Sequence, residues 1–401
     1  MDLKLWIRDT ASRLGFDLCG IAPAGLPGQD TERYLWWLEQ GFHGEMGYME
    51  RQQRRDVRLL LQGVRSVICA AMVYNTPLPK SIECPDPTRG WISRYGWGED
   101  YHHTLRERLE QLLAELRLAA GSPFEAKVYV DTGPLLERSF ARAAGLGWVA
   151  KNTCLIHPKV GSWFMVGEIL TTLELPPDPP VPDRCGTCRR CIDACPTSAI
   201  VEPYVLDASR CIAYFTIEAR GTIPEEFRPA IGRHVFGCDI CQDVCPWNRK
   251  APVTLLPEFQ PRAFRQSNPE PELRSQKDDG LALVNGMNPS PDGTTGLVVH
   301  RGKVDQKVPE CPPTAFNPPL EWLASLSEAE FNALFRRSPV KRARYRGLLR
   351  NAAIAMGNSR ELQFRPVLQK LAELPEPIIQ EHARWALARL EDIPAARSTL
   401  G

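Results

Sequence analysis

The sequence predicts a multidomain protein of the α+β class, and three regional patterns support this. Residues 1–175 alternate short apolar runs with helical stripes, residues 176–256 are crowded with cysteine, and residues 316–401 carry helical patterns. A chain of 401 residues is long enough for two or three domains. Residues 257–315, rich in Pro, Gly, Asp and Ser, are expected to form a linker or insertion.

The first region is expected to be a sheet covered by helices. Apolar residues at helical spacing predict helices over residues 3–14, 100–120 and 135–144. Short apolar runs predict strands over residues 67–73, 126–130 and 161–175. The proline-rich stretch 176–182 can continue neither a helix nor a central strand, and therefore marks a domain boundary.

The C-terminal region is expected to be a set of short packed helices. Its apolar stripes are Leu348, Leu349, Ala352, Ala353 and Met356, then Val367, Leu368 and Leu371, then Ala383, Ala386, Leu387 and Leu390. Short helices at this spacing are similar to HEAT-type repeats.

Charge and hydropathy exclude some classes of function. The net charge of +1 gives no overall attraction to nucleic acid, so such a partner would need a local basic patch. The charged N-terminus lacks the apolar core of a signal peptide, and the longest apolar run, 67–73, is too short to span a bilayer. The expected protein is cytoplasmic and has no membrane partner.

The cysteines carry the clearest chemical pattern. Cys185, Cys188, Cys191 and Cys195, followed by Pro196, have the x2, x2, x3 spacing of a bacterial ferredoxin, whose fourth cysteine ligates the other cluster. A second half, Cys238, Cys241 and Cys245 before Pro246, lacks one ligand, which Cys211 can provide. The pattern predicts two [4Fe–4S] clusters, one on Cys185, Cys188, Cys191 and Cys245 and the other on Cys195, Cys211, Cys238 and Cys241. A pair of zinc sites is the alternative, and the isolated Cys19, Cys69, Cys84, Cys154 and Cys311 are expected to be small apolar residues.

Beyond the cysteines, five further segments are distinctive: 93–102 (SRYGWGEDYH), 130–138 (VDTGPLLER), 144–152 (AGLGWVAKN), 161–164 (GSWF) and 237–246 (GCDICQDVCP). With these motifs the chain resembles the epoxyqueuosine reductase family, which completes queuosine in tRNA. The resemblance covers about 1–256 and resumes near 316. It implies a nitroreductase-like cobalamin domain over 1–175, a two-cluster ferredoxin domain over 176–256 and a HEAT-like tRNA-binding domain over 316–401.

The same resemblance implies an activity and its partners. The epoxide of epoxyqueuosine at the anticodon wobble position would be reduced to the alkene of queuosine, with cobalamin in its cob(II)alamin form and electrons passed through the two clusters. An external electron donor is required, and a monomer is expected. The insertion at 257–315 is longer than the family needs, and a solvated spacer is the simplest interpretation.

Asp131 is the candidate catalytic residue. It ends a predicted strand, where α/β folds place ligand chemistry, although its position before a helix also fits an N-cap. The resemblance places the family's proton donor here. A carboxyl group kept neutral by an enclosed apolar site could donate such a proton.

The resemblance also implies cofactor contacts. The aligned positions are Arg54, Ser93, Asp131, Lys151, Asn152, Leu155 and Val166. Core packing would equally explain Leu155 and Val166, a solvated basic run would explain Arg54, and capping of a turn would explain Lys151 and Asn152. Because no Asp-x-His-x-x-Gly motif is present, cobalamin is expected without histidine ligation.

Two segments are candidate tRNA contacts. Leu136, Glu137 and Arg138 match a family anticodon contact, although Glu137 and Arg138 could be exposed helix residues. Residues 336–360 hold eight Lys and Arg but no Asp or Glu, which predicts a phosphate-binding patch, or else one charged helix face. The patch residues proposed as contacts are Lys341, Arg342, Arg344, Arg346 and Arg350.

Two other functions remain possible from the sequence. A corrinoid reductive dehalogenase would join cobalamin to two clusters, but it should carry a twin-arginine export signal and has no use for a basic helical tail. A ferredoxin-type electron carrier would leave the first 175 residues and Asp131 unexplained.

Overall fold

The computed structural model describes residues 1–25, 28–263 and 314–391. Its first unit is built on an antiparallel sheet of four strands in the order β1-β2-β7-β4. These strands are β1 (Leu18–Pro23), β2 (Ser66–Val73), β4 (Ala126–Tyr129) and β7 (Phe164–Thr171). Every residue of β2 is buried, as expected for an uninterrupted apolar run in a central strand.

Helices cover both faces of this sheet. On one face lie α1 (Leu3–Arg13) and α3 (Tyr101–Ala119). The leucines at helical spacing in α3 pack there in one core with Ile68 and Ile169. On the other face, α4 (Glu137–Ala143) places Phe140 and Ala141 against the strands, and a further helix, α2, spans Gly28–Glu39. Gly145 has a φ of 77° just past α4, which explains why glycine ends this helix.

The cysteine-rich region follows an extended connection. The proline-rich stretch 176–182 is in neither a helix nor a strand, as predicted. Within it Asp178 is buried, accepts a hydrogen bond from the Ile21 amide at 2.9 Å, and pairs with Lys4 at 2.6 Å. The stretch is therefore fixed against α1 and β1 rather than swinging free between units.

Short elements make up the cysteine-rich region and the loops that support it. The remaining strands pair as β3 (Trp91–Ile92) with β10 (His234–Phe236), β5 (Trp148–Val149) with β6 (Leu155–Ile156), and β8 (Ile200–Glu202) with β9 (Val205–Leu206). The helices are α5 (Arg190–Asp193), α6 (Ile212–Ile217), α7 (Arg228–Ile231) and α8 (Ile240–Asp243).

The C-terminal region is helical, as predicted. Its helices are α9 (Leu320–Ser325), α10 (Glu328–Leu334), α11 (Arg344–Ser359), α12 (Arg365–Glu373) and α13 (Pro377–Glu391). Their common core extends through Ile92, Trp97, Val235 and Phe236, so the helices are packed onto both earlier regions. None of the described helices combines the length and apolar character needed to cross a bilayer.

Most of the expected 257–315 linker and Cys311 lie outside the described residues. Of its flanks, Pro257–Phe259 forms a short 3-10 turn, and Ala263 bridges to Thr314. Phe259 is buried in the core beside α3. The beginning of the expected linker is thus part of the first unit's packing.

Candidate functional site

A cavity of about 2100 Å³ lies where the sheet unit, the cysteine-rich region and the C-terminal helices meet. Most of the sequence-predicted site residues contribute to its wall. They are Arg54, Ser93, Asp131, Leu136, Glu137, Arg138, Asn152, Leu155, Lys341 and Arg342. A volume above the ~300–1,000 Å³ of common ligand pockets leaves room for a large cofactor together with a substrate group.

Asp131 is in the cavity wall and is held by two aromatic neighbours. It follows β4 in the left-handed backbone region, with a φ of 50°, and its side chain is 53% exposed. The Tyr101 hydroxyl donates to Asp131 Oδ2 at 2.8 Å, and His102 Nε2 lies 3.2 Å from the same oxygen. Because α4 begins six residues later, with Leu136 at its N-cap, the N-cap interpretation of Asp131 is wrong.

The contacts of Asp131 favour its ionised form rather than the expected neutral carboxyl. Burial raises the pKa of Asp131, but hydrogen bonds from His102 and Tyr101 and the positive charges of His102 and Arg138 outweigh it, so the pKa is below its usual value. Burial lowers the pKa of His102, yet hydrogen bonds with Asp100 and Asp131 and their charges raise it to about 9. At neutral pH the ionisable proton of this pair therefore resides on His102, with Asp131 ionised beside it.

Arg54 and Ser93 are fixed by contacts within the wall. Arg54 is 9% exposed and donates from Nη1 to the Leu135 carbonyl at 2.8 Å, so it is not part of a solvated basic run. Ser93 donates to Asp239 Oδ1 at 2.6 Å, which ties the cavity wall to the cysteine-rich region. A Cβ on Gly237, whose φ is 68°, would lie 2.5 Å from Ser93 Cβ, so this close approach requires glycine.

Two of the expected cofactor contacts lie outside the cavity wall. Lys151 is 9% exposed and donates from Nζ to the carbonyls of Gly186 and Cys188, so its ammonium group holds a cysteine loop. Val166 packs with the apolar cluster under α4, on the opposite side of β7 from the cavity-lining Met165. Core packing is the correct interpretation of Val166.

Eight thiols of the cysteine-rich region are brought into two neighbourhoods. Burial, together with the nearby thiols of Cys185 and Cys191, raises the pKa of Cys245 to about 11. Burial likewise raises the pKa of Cys238, with contributions from Cys211 and Cys195. Each neighbourhood thus draws thiols from both halves of the motif, and the assignment of four ligands to each cluster stays a prediction.

The two groups differ in their position relative to the cavity. Cys195, Cys211, Cys238 and Cys241 line the cavity, whereas Cys185, Cys188, Cys191 and Cys245 do not. Each group also has a donor near sulfur: the Ala199 amide donates to Cys195 Sγ at 3.3 Å, and Trp148 Nε1 donates to Cys185 Sγ at 3.5 Å. Such hydrogen bonds help to set the reduction potential of a bound cluster.

The basic block is divided by the structure. Arg350 is wrong as a phosphate contact, because it is 1% exposed and its guanidinium donates to the carbonyls of Phe215, Ala219 and Gly221. Arg342 pairs with Glu218 at 2.9 Å and Arg346 with Glu376 at 3.5 Å. Both acids belong to segments outside residues 336–360. The absence of Asp and Glu within the block therefore gave no indication that these arginines are paired.

Two carboxyl groups have surroundings that the sequence did not indicate. Glu137, expected as a tRNA contact or else as an exposed helix residue, has its Oε1 atom buried, and Glu168 on β7 is fully buried. A carboxylate in the middle of an apolar strand is the signal that could have identified Glu168. His102 lay within a quoted motif, but its contact with Asp131 depends on how α3 is placed beside the loop.

Two family models match the chain. The model described as a 4Fe-4S double cluster binding domain matches residues 184–248, and the one described as epoxyqueuosine reductase QueG, DUF1730, matches residues 54–132. Residues 184–248 therefore hold two iron–sulfur clusters, and the zinc alternative is not supported.

Curated relatives match over nearly the whole chain. An epoxyqueuosine reductase of Pseudomonas aeruginosa is 37% identical over 392 residues, covering 96% of this chain and 93% of the relative. One of Gloeobacter violaceus is 40% identical over 362 residues, covering 88% of this chain and 95% of the relative.

Solved structures agree with these relatives. An epoxyqueuosine reductase crystallised with an epoxyqueuosine-modified tRNA-Tyr stem loop has a TM-score of 0.78 and 30% identity, covering 97% of this chain and 90% of that chain. One from Bacillus subtilis has a TM-score of 0.77 and 28% identity over the same shares, and its catalytic aspartate loop is described as swung out of the active site.

Proposed function

The chain belongs to the epoxyqueuosine reductase family, and from this membership we propose that it reduces epoxyqueuosine in tRNA to queuosine. The observation that carries the proposal is a single cavity with Asp131 and His102 on one wall and four cysteines of a double-cluster domain on another. Proton donors and an electron source thus face the same space. The two alternatives do not account for the similarity to epoxyqueuosine reductases over nearly the whole chain. Neither a reductive dehalogenase nor an electron carrier would require a tRNA partner.

The proposed reaction needs two electrons and two protons. Both carbon–oxygen bonds of the epoxide break, one carbon–carbon double bond forms, and the oxygen leaves as water. The His102–Asp131 pair can hold a proton where the departing oxygen would lie, because Asp131 projects into the cavity. Asp131 accordingly remains the proposed catalytic residue, with His102 as the site that stores its proton.

Cobalamin is the proposed second cofactor, and the residues present fit it. The cavity has the volume for a macrocycle, and Arg54, Ser93, Asn152 and Leu155 are the residues that would hold it. Of the two histidines that line the cavity, His102 and His103, the first has Nδ1 2.7 Å from Asp100 and Nε2 3.2 Å from Asp131, so its ring faces carboxylates on both sides. When bound, cobalamin supplies a cobalt centre that can accept single electrons and deliver them to the substrate.

The cysteines that line the cavity support an order for the two clusters along the path of the electrons. We assign the cavity-facing cluster to Cys195, Cys211, Cys238 and Cys241, and the remote one to Cys185, Cys188, Cys191 and Cys245. An external donor would then approach the remote cluster, where Arg189 and Arg190 are exposed. We further propose that the protein is a monomer and acts in the cytoplasm, where its tRNA substrate is found.

Finer domain assignments remain part of the proposal. The sheet unit over 1–175 is proposed to be nitroreductase-like, 176–256 to be ferredoxin-like, and 316–401 to be HEAT-like and tRNA-binding. The pairing of α11 with α13 and of α12 with α13 supports helical repeats. The segment 257–315 keeps its interpretation as an insertion.

The activity can be tested directly. Reconstituted protein, given a reductant, cobalamin and tRNA carrying epoxyqueuosine, should convert the modified nucleoside to one lighter by a single oxygen atom, as measured by mass spectrometry of digested tRNA. Protein reconstituted without iron and sulfide is the control. No conversion by protein that retains both cofactors would contradict the proposed function.

The tRNA is proposed to be held by basic residues at the cavity mouth. Lys341 and Arg342 line the cavity, and a smaller pocket beside it is lined by Arg220, Lys341, Arg342 and Arg344. Lys341 and Arg344 are exposed and form no ion pair with any residue that the structure describes. These two are therefore the cations most available to phosphate, rather than the whole basic block.

Replacing Lys341 and Arg344 together by Gln should weaken tRNA binding and flatten its salt dependence by about two units of slope, one for each lost phosphate contact. Turnover at saturating tRNA should persist, because neither residue touches Asp131. Affinity is measured at several salt concentrations. The double variant Arg360→Gln, Lys370→Gln removes the same charge from exposed positions outside both pockets and should keep the original slope. Equal slopes in both variants would show that the mouth does not bind phosphate.

A further inference from the structure

Two carboxyl groups near Asp131, the fully buried one of Glu168 and the half-buried one of Glu137, have no place in the mechanism so far. Glu168 is 0% exposed on β7, where it is in register with Cys69 of β2 and Tyr129 of β4. Within the described part of the chain, neither of its carboxylate oxygens accepts a hydrogen bond from a donor, but its carboxyl lies within hydrogen-bonding reach of that of Glu137. A buried carboxylate without donors is costly, so this arrangement calls for an explanation.

The two carboxyl groups can satisfy each other only if a proton lies between them. A carboxylate accepts but does not donate, so at least one member must be protonated. Burial and the charge of Asp131 raise the pKa of Glu137 to about 8. Burial and the charges of Glu137 and Asp131 raise the pKa of Glu168 well above its ordinary value. The pair therefore retains a proton at neutral pH.

This pair is connected to the catalytic loop. Asp131 is close enough for its charge and its backbone amide to act on the Glu137 carboxyl, and both residues line the cavity. Other groups acting on the pair are Arg54 and Arg138 from the cavity side, Cys69 from β2 and Tyr129 from β4. The cations of this set lie beside Glu137, so Glu168 is the member without a counter-charge.

We propose that the Glu137–Glu168 pair stores a proton for the epoxide reduction and delivers it through Glu137 to Asp131. This rests on the proposed function, in which the departing oxygen takes up two protons. The His102–Asp131 pair holds one of them, and Glu137 can transfer the other to Asp131 after the first has been used. The electrons come from the clusters, and the pair is recharged by solvent protons entering the cavity. Glu168 acts through Glu137 and is therefore a positioning residue.

The first arm of the test measures stability and does not require activity. In the unfolded chain both glutamates ionise near pH ~4.3, whereas in the folded protein their pKa values are raised. At this pair the folded state thus binds more protons, so the pair's contribution to stability is full below pH ~4.3 and is lost as the pH rises through about 8. The wild-type melting temperature should decline between pH ~6 and ~9, and Glu168→Gln should flatten this decline. An unchanged decline in Glu168→Gln would overturn the shared proton.

The second arm measures kinetics with the holoenzyme. Glu168→Gln and Glu137→Gln should each lower kcat at least ~10-fold, with KM for tRNA unchanged for Glu168→Gln, because a general acid relay contributes on this scale or more. Glu168→Asp, which can still hold a proton, should recover part of kcat. Glu110→Gln, an exposed carboxyl on α3, is the control.

These outcomes separate the inference from the proposed function. If wild-type holoenzyme converts tRNA and Glu168→Gln keeps its kcat and its pH–rate profile, the proton store is excluded. If wild type does not convert tRNA, the proposed function fails, and the stability arm still decides whether the pair holds a proton. If Glu168→Gln fails to fold, Glu137→Gln decides the question, and a Glu137→Gln variant with the kcat and pH–rate profile of wild type would exclude the inference.

Discussion

Replacing Asp131 by Asn is expected to lower turnover at least ~100-fold, the scale on which a positioned acid or base contributes. Asparagine keeps the size of the side chain and can still accept from Tyr101, but it cannot pass a proton to substrate or stabilise the charge on His102. The iron content and retained cobalamin should match wild type. Single-turnover conversion of epoxyqueuosine tRNA is the measurement.

The pH profile provides a second check on this site. Wild-type turnover should fall as the pH rises through about 9, where His102 loses the proton that it shares with Asp131. In Asp131→Asn the remaining activity should fall at a lower pH than in wild type, because one of the two carboxylates that raise the pKa of His102 is gone. Asp56→Asn, an exposed carboxylate paired with Arg58, is the control and should behave as wild type. Near-normal turnover in Asp131→Asn would remove Asp131 from the chemistry.

The parts of the fold that could be predicted from the sequence are those with local causes. The stripe of α3, the buried run of β2 and the cysteine spacing each depend on residues a few positions apart, and each is found where it was expected. The glycine after α4 likewise follows from backbone geometry at one residue.

The errors concern contacts between distant segments. Arg350 stands in a basic block, yet its partners are carbonyls of α6 and the loop after it, more than a hundred residues away. The pKa of Asp131 is governed by the start of α3, thirty residues earlier. Glu137, at the start of α4, looks exposed in sequence because the acid that it meets, Glu168, lies on strand β7, about thirty residues later. Residue type and spacing do not contain this information, which arises only when the strands pair.

Replacing Cys211 by Ala is expected to remove one cluster and nearly all turnover. Cys211 is the proposed ligand that lies outside both cysteine motifs. Its thiol is near that of Cys195 in the group facing the cavity. Iron should fall from about eight to about four atoms per chain, by the ferredoxin pattern. Because the lost cluster is the one at the cavity wall, electrons would have no carrier next to the substrate site.

Cys154 makes this experiment discriminating. Its thiol lies beside that of Cys241 and also lines the cavity, so Cys154 is the competing candidate for the fourth ligand of that cluster. Cys154→Ala should keep about eight irons per chain if Cys211 is the ligand. Iron is measured together with the cluster absorbance, and the remote cluster should persist in both variants. Loss of iron in Cys154→Ala with full iron in Cys211→Ala would exchange the two residues as ligands. A cubane takes four thiolates, and among the residues that the structure describes, Cys154 and Cys211 are the two cysteines that line the cavity besides Cys195, Cys238 and Cys241.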